Sequence, residues 1–208
     1  RHSARASLIA TGPISMQVVL ASANPKKAGE IREILGHTFE LIARPDHVPD
    51  VVEDADTFEG NARLKAVALV AATGLAALAD DSGLVVDAIG GHPGVHSARY
   101  AGEHASDEEN VIKLLDALSI HPDPVERTAR FQAVVILRHP DGNETVVEGA
   151  VEGTIAGAPR GLGGFGYDPI FIPNDGDGRT FGEMQASAKH AISHRGRALA
   201  ALLSTLDR

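Results

Sequence analysis

The chain contains no cysteine and no tryptophan among its 208 residues. The lack of cysteine excludes disulfides, thiolate nucleophiles and thiolate zinc sites. Positive charge is also scarce, because 19 lysines and arginines stand against 28 aspartates and glutamates, and the net charge is −9. A chain of this sign is a poor candidate for binding nucleic-acid polymers, although a few well-placed cations can still hold a single nucleotide.

Long apolar runs are absent as well, and none approaches the roughly 20 residues that a membrane helix needs. We therefore expect no membrane partner and a cytoplasmic location. The hydrophobic content of 43% is ordinary, and the length suits one domain with a sizeable core. Residues 1–15 lack apolar periodicity, so we expect a disordered or expression-derived extension there, and a single domain over residues 16–208 that starts at Met16.

The first predicted strand and the helix after it form the most informative segment. Residues 18–20 suit a buried strand, Asn24 is a good N-cap, and Pro25 fits the first helical position. Lys26 and Lys27 in the first turn are unusual, because a helix N-terminus already carries free N–H groups and a partial positive charge. The segment therefore predicts a phosphate cradle. The alternative is that both lysines simply reach into solvent.

Periodicity and turn signals predict alternating strands and helices along the rest of the chain. The further predicted strands are 39–42, 75–79, 84–86, 127–138 and a partner strand that follows the turn at 140–143 and ends at residue 155. The further predicted helices are 57–74, one after the capping box of Ser106 and Glu109, and one at the C-terminus. Strand–helix units followed by a hairpin favour an α/β fold with a mixed sheet flanked by helices.

Two aspartates, Asp80 and Asp81, directly follow an apolar strand. Charged groups at such a place are costly unless they are paired or bind a metal. Their hard oxygen atoms suit Mg²⁺, which takes one or two carboxylates and completes its shell with substrate phosphates and water. Glu53 and Asp54, in an acidic loop, are candidates for a second carboxylate. The alternative is a solvated turn over residues 80–83.

Cations recur at two other places. Asn61 and Lys65 fall on one face of the second predicted helix, where Lys65 is either a phosphate ligand or a boundary residue whose stem packs while its head reaches water. The basic segment 189–197 lies where the last helix starts, with Ser193 as a possible cap. It repeats the arrangement of the first helix. A basic surface patch is the alternative.

A glycine-rich loop over residues 161–166 matches the pattern G-x-G-x-x-G. The residues after it cannot open a helix, so the context of a dinucleotide-binding motif is missing. We interpret the loop as a wall that lets backbone approach a ligand closely, with Phe165 available to stack on a base.

Taken in order, these segments resemble the inosine triphosphatase family from about Met16 to Leu206. The matching blocks are residues 22–27, 57–62 with 65–66, 79–84, 93–100, 163–169 and 192–196. The resemblance implies a long mixed sheet with helices in two lobes around a central cleft, and a homodimer. It also implies Mg²⁺-dependent hydrolysis of the α–β bond of ITP, XTP and dITP, which gives the monophosphate and pyrophosphate.

The resemblance assigns a role to each matching residue. Asp81 would be the general base and a metal ligand, Glu53 the second metal ligand, and Lys65 would help to neutralise the triphosphate. The substrate-binding residues would be Ser22, Ala23, Asn24, Pro25, Lys26 and Lys27 at the phosphates, Ser82, and Phe165, Gly166, Tyr167, Asp168, Lys189, His194 and Arg195 around the purine. His194 and Arg195 are suitable donors to a purine 6-oxo group. Gly60 stands where many members have glutamate, and we expect it to be tolerated.

Two other functions fit parts of the pattern. A non-catalytic purine nucleotide sensor would use the same phosphate cradle, but carboxylates beside phosphates weaken binding unless a metal intervenes. A glycosidase would use Glu53 and Asp81 as its carboxylate pair. It leaves the lysines unexplained, and the chain has no tryptophan to stack on a sugar.

Overall fold

The computed structural model describes residues 16–206, so the extension predicted over residues 1–15 lies outside the described residues. The strands are β1 (Gln17–Leu20), β2 (Glu40–Ile42), β3 (Ala76–Val86), β4 (Thr128–Arg138), β5 (Glu144–Ile155) and β6 (Phe171–Pro173). They form one six-stranded sheet in the order β2-β1-β3-β4-β5-β6. β1 pairs in parallel with β2 and β3, and the other pairs are antiparallel. The predicted α/β fold with a mixed sheet is confirmed, while its division into two lobes stays a prediction.

Helices cover both faces of this sheet. They are α1 (Pro25–Leu35), α2 (Phe58–Thr73), α3 (Asp107–Ala117), α4 (Ala186–Ile192) and α5 (His194–Leu206). The predicted caps are present: the Asn24 side chain accepts from the N–H groups of Lys26 and Lys27, and Ser106 and Glu109 form a capping box. Within residues 16–206, no helix has the length and apolar character needed to cross a bilayer.

The alternation of side chains along β3 assigns each face of the sheet to different helices. Ala77 and Ala79 belong to a buried cluster with Ala62, Ala66 and Leu69 of α2. On the opposite face, Leu78 packs in a cluster that includes residues of α1 and α5. Neighbouring residues of β3 therefore face different helices.

Three predictions about the elements were wrong. β3 does not break at residues 80–83 but continues to Val86, and Asp81 is paired with Val134 of β4. Pairing with β4 therefore overrides the turn propensity of the Asp-Asp-Ser-Gly stretch. The sequence pattern also missed α4 and β6, which have 7 and 3 residues, too few to establish a clear period.

Candidate active site

Asp80 and Asp81 lie where β3 runs past the end of β1. Leu20 is the last β1 residue paired with β3, and it stands opposite Leu78. The chain then leaves the sheet towards the N-terminus of α1, so that end of α1 lies beside the carboxylates. Asp80 and Asp81 are 4% and 5% exposed, which excludes the solvated turn. Because side chains alternate along a strand, the two carboxylates point to opposite faces of the sheet.

Asp81 faces α2 and meets the polar residues of that helix. Lys65 Nζ lies 3.2 Å from Asp81 Oδ1, and Asn61 Nδ2 donates to Asp81 Oδ2 over 3.3 Å. Lys65 Nζ also lies 3.4 Å from Glu53 Oε2. Burial raises the pKa of the Asp81 carboxyl, although the Lys65 and Lys27 cations oppose this shift. Asp81 therefore has a higher proton affinity than an exposed aspartate.

Asp80 faces α1 and α5 and is surrounded by cations. The Arg195 guanidinium donates to Asp80 Oδ2 from Nε over 3.2 Å and from Nη2 over 3.1 Å, and Lys27 Nζ lies 3.9 Å from the same oxygen. Burial alone would raise the pKa of Asp80, but Lys27, Arg195 and Lys65 outweigh it and hold that pKa well below the ordinary value. The two adjacent aspartates are therefore chemically different.

A cavity of about 280 Å³ opens in front of these carboxylates. We call it the carboxylate cavity. Its lining contains the predicted residues Ser22, Ala23, Asn24, Lys27, Glu53, Lys65, Asp81 and Ser82. Arg44 and Arg99 also line it and were not predicted. Arg99 Nη2 donates to the Glu53 carbonyl over 2.9 Å and so holds the acidic loop against the cavity.

A second cavity adjoins the first, and both are lined by Asn24, Lys27 and Ser82. We call it the aromatic cavity. Its lining contains the predicted residues Phe165, Gly166, Tyr167, Asp168, Lys189, His194 and Arg195. Lys189 Nζ lies 4.8 Å from the Phe165 ring centroid, within the range of a cation–π contact. Residues distant in the sequence thus form one cleft with a carboxylate end and an aromatic end.

His194 is the first residue of α5 and stacks on Phe131 of β4, with ring centroids 4.7 Å apart and planes at 10°. Gly149 of β5 lets the backbone at the start of α5 pack closely on the sheet, because any side chain there would collide with the His194 carbonyl. Burial and the neighbouring cations Arg195 and Lys189 keep the pKa of His194 well below its ordinary value, so the ring is neutral. Its Nδ1 is buried and has no hydrogen-bond partner among the described residues.

Glu30 of α1 pairs with both Lys189 and Arg195, the two cations of the aromatic cavity. Glu30 was not predicted from the sequence. Its carboxylate accepts from Lys189 Nζ over 2.8 Å and from Arg195 Nη1 over 2.5 Å. Lys189 Nζ also donates to Asp168 Oδ2 over 2.7 Å. The only sequence signal was a carboxylate placed between the apolar residues of α1 and one turn after its lysines.

Two of the residues predicted at the phosphates have other surroundings. Pro25 lines neither of the two cavities, and its role at the N-terminus of α1 is to start the helix. Lys26 points away from Asp80: its Nζ lies 3.4 Å from the Gly164 carbonyl and 6.0 Å from the Phe165 ring centroid. Only Lys27 of the lysine pair reaches the carboxylates.

The donor set of the carboxylate cavity fits Mg²⁺. The Lys65 ammonium already lies between Glu53 and Asp81, which shows that these carboxylates attract a cation to one place. In residues 16–206 there is no group of three or more histidines, aspartates and glutamates that could hold a metal by itself. Two carboxylates are nevertheless sufficient for Mg²⁺ when substrate phosphates and water complete its shell.

Comparison with known proteins identifies the family of this fold and cleft. The family model described as the Ham1 family matches residues 18–205. The chain belongs to the Ham1 family. Among its relatives are the dITP/XTP pyrophosphatases of Symbiobacterium thermophilum and Geobacter sulfurreducens, each 50% identical; the aligned region covers 91% and 89% of this chain, and 94% of each relative. The resemblance to the inosine triphosphatase family is thereby confirmed.

Solved structures of Ham1 proteins have the same fold. The protein from Coxiella burnetii superposes with a TM-score of 0.84 at 42% identity, over 92% of this chain and 98% of that one. The protein from Staphylococcus aureus gives a TM-score of 0.81 at 39% identity, with the same coverage. The observed mixed sheet is therefore the sheet of the Ham1 family.

Proposed function

We propose that this protein hydrolyses non-standard purine nucleoside triphosphates (dITP, ITP and XTP) to the monophosphate and pyrophosphate. The observation that carries the proposal is the single cleft in which a carboxylate end adjoins an aromatic end. Relatives at 50% identity over nine-tenths of the chain are named dITP/XTP pyrophosphatases. The same relatives leave the glycosidase interpretation without support.

The carboxylate cavity would bind the triphosphate. The N–H groups at the start of α1, Ser22 and Lys27 would contact the phosphates, and Lys65 would neutralise part of their charge. Glu53 and Asp81 would hold Mg²⁺, which when bound supplies further charge neutralisation and lowers the pKa of a coordinated water. Asp81 would take the proton of the attacking water as that oxygen bonds to phosphorus and the bridging α–β P–O bond breaks. Positioning and charge neutralisation dominate such a reaction.

The aromatic cavity would bind the purine. Phe165 would stack on the base, while Tyr167 and Asp168 shape the wall behind it. The neutral ring of His194 would donate to the 6-oxo group of hypoxanthine or xanthine. The 6-amino group of adenine cannot accept that hydrogen bond, so two donors would face each other without a partner. We also infer a homodimer of two-lobed subunits, as the resemblance implies.

A nucleotide panel tests the proposed function. The full chain is incubated with Mg²⁺ and dITP, ITP, XTP, GTP or ATP, and pyrophosphate and orthophosphate are measured separately. We expect pyrophosphate from the first three substrates, loss of activity in excess EDTA, and recovery when Mg²⁺ is added in excess. Tight binding without product would identify a sensor instead. Full activity in excess EDTA would show that the metal assignment is wrong.

Base selectivity depends on His194 in this proposal. His194→Phe keeps a stacked ring on Phe131 and removes the ring nitrogens. We expect kcat/KM for ITP to fall by roughly ten- to one-hundredfold, the cost of leaving the buried 6-oxo group without its donor, while the weak activity on ATP changes much less.

Lys27→Ala is the control for the selectivity test. A phosphate contact serves every nucleotide, so this variant should lower ITP and ATP hydrolysis by similar factors. An equal loss on both substrates in His194→Phe would show that base discrimination lies elsewhere in the cavity.

A further inference from the structure

The loop over residues 163–167 lines the aromatic cavity with Phe165, Gly166 and Tyr167. We call the Phe165 ring the cover of this cavity. The Phe165 ring centroid lies 4.8 Å from Lys189 Nζ and 5.8 Å from Arg195 Cζ. Gly163 and Gly164 are exposed, whereas Tyr167 is buried. The Gly163 N–H donates to the Gly182 carbonyl over 2.9 Å, which anchors the start of the loop. The position of Phe165 over the cavity therefore depends on the contacts made between Gly163 and Tyr167.

The end of the loop after Phe165 is firmly attached to the protein. Tyr167 Oη donates to the Ser97 carbonyl over 2.8 Å, and the Phe165 N–H donates to Asp168 Oδ2 over 2.9 Å. Between these points Gly166 adopts a left-handed conformation with a φ of 59°. Its N–H donates to Asp107 Oδ2 over 2.8 Å. This last bond joins the loop to a different element, α3.

Asp107 is a well-fixed support because the start of α3 is itself held in place. The capping box of Ser106 and Glu109 closes the first turn. One turn further, the buried Asn110 accepts from the Ala101 N–H over 2.7 Å and donates to the Ala98 carbonyl over 3.2 Å. α3 is thus tied to the segment 98–101, which also borders both cavities.

The opposite side of the cleft holds the loop less closely. Lys26 Nζ lies 3.4 Å from the Gly164 carbonyl, at the long end of the hydrogen-bond range. A lysine head on a flexible stem restrains a loop less than a carboxylate on the first turn of a capped helix. In the part of the chain that the structure describes, α1 reaches the loop through Lys26 and α3 reaches it through Asp107. The hydrogen bond to Asp107 is the shorter of these two.

We propose that Asp107 is a positioning residue that holds the loop over residues 163–167, and with it the Phe165 ring, above the aromatic cavity. Asp107 also lines the aromatic cavity, but its carboxylate acts through the loop and does not touch the reacting atoms. Its removal loosens the cover of the base and leaves Asp81, Glu53 and Lys65 in place. Asp107 thereby contributes to nucleotide affinity and not to the chemical step.

A simpler role for Asp107 is that of an acidic residue in the first turn of a helix, where it stabilises the helix dipole. Glu108 shares this property, since it is also exposed in the first turn of α3. Glu108→Ala is therefore a matched control for Asp107→Ala. Asp107→Asn removes the charge but keeps an oxygen that can accept from the Gly166 N–H, so it should restore the position of the loop.

The first test measures the loop directly, without nucleotide. The chain has no tryptophan, so Phe165→Trp introduces a single tryptophan reporter at the cover of the cavity. In this background we expect Asp107→Ala to shift the emission to longer wavelength and to increase quenching by acrylamide at least twofold. Glu108→Ala and Asp107→Asn should match the parent. An Asp107→Ala spectrum and quenching constant equal to those of the Glu108→Ala control would overturn the proposal.

The second test is kinetic, uses the chain with Phe165 intact, and rests on the proposed function. We expect Asp107→Ala to raise KM for dITP about three- to tenfold, the effect of one hydrogen bond, with kcat within twofold of the parent. Glu108→Ala should leave both constants unchanged. A lower kcat at constant KM in Asp107→Ala would contradict a role in positioning the base. A parent chain that hydrolyses none of the nucleotides would refute the proposed function, while the fluorescence test would still decide the role of Asp107.

Discussion

Asp81→Asn will abolish nearly all hydrolysis of dITP while leaving the protein folded. Asparagine has the same shape and keeps one acceptor oxygen for Lys65, but it cannot take the proton of the attacking water. Loss of a general base costs about 10²- to 10⁴-fold in rate. Pyrophosphate release under saturating dITP and Mg²⁺ measures this loss, and thermal unfolding of the same sample shows whether the fold is intact.

Asp116→Asn is the control for this experiment, because it removes an exposed carboxylate of α3 that lines neither cavity. We expect its rate and melting temperature to equal those of the parent. A folded Asp81→Asn protein that released pyrophosphate at the parental rate would remove Asp81 from the mechanism.

Arg195→Ala will destabilise the whole protein, because the guanidinium is a central link of a buried charge network. Arg195 is 2% exposed and donates to Asp80, Glu30 and Ser82. Its removal leaves the buried Asp80 carboxylate without its hydrogen-bonded cation and takes one of the two cations from the partly buried Glu30, which keeps Lys189. Breaking a buried ion pair in this way costs about 3–5 kcal/mol of unfolding free energy. For a chain of this length the melting temperature should fall by roughly 6–20 °C.

Arg197→Ala is the matched control, since it removes the same side chain two residues later in α5. Arg197 is partly exposed and pairs with Asp175 at the surface, so its loss should cost less than about 1 kcal/mol. Arg195→Lys, which keeps the charge without the planar fork, should lie between the two. If Arg195→Ala has the melting temperature of Arg197→Ala and loses only its preference for ITP, the guanidinium contacts the base and does not stabilise the fold.

This expectation refines the role that the resemblance implies for Arg195. The sequence predicts that Arg195, together with His194, donates to the purine. In the structure most of its donors are occupied by Asp80, Glu30 and Ser82, whereas His194 keeps a buried ring nitrogen without a partner. The selectivity experiment is therefore designed around His194.

The local elements were predictable because their signals are local. Asn24 and Ser106 cap the helices that they were expected to cap, the second helix begins near Thr57 as predicted, and the turn at 140–143 joins the two antiparallel strands β4 and β5. Capping and tight turns depend on side chains that bond to backbone a few residues away. The short elements α4 and β6 lacked such signals and depend on contacts with distant parts of the chain.

The sequence by itself determined the α/β class, the family and most of the polar residues at the cleft, although Glu30, Arg44 and Arg99 were not predicted. Only the tertiary structure decided how those residues are paired. Whether Asp80 and Asp81 form a solvated turn or a buried strand depends on pairing with β4, which is more than 50 residues away in the chain. Because β3 remains extended there, alternation directs Asp81 to Lys65 and Asp80 to Arg195. One aspartate thereby meets Lys65 beside the carboxylate cavity and its neighbour meets Arg195 of the aromatic cavity, a division that no local pattern in the sequence shows.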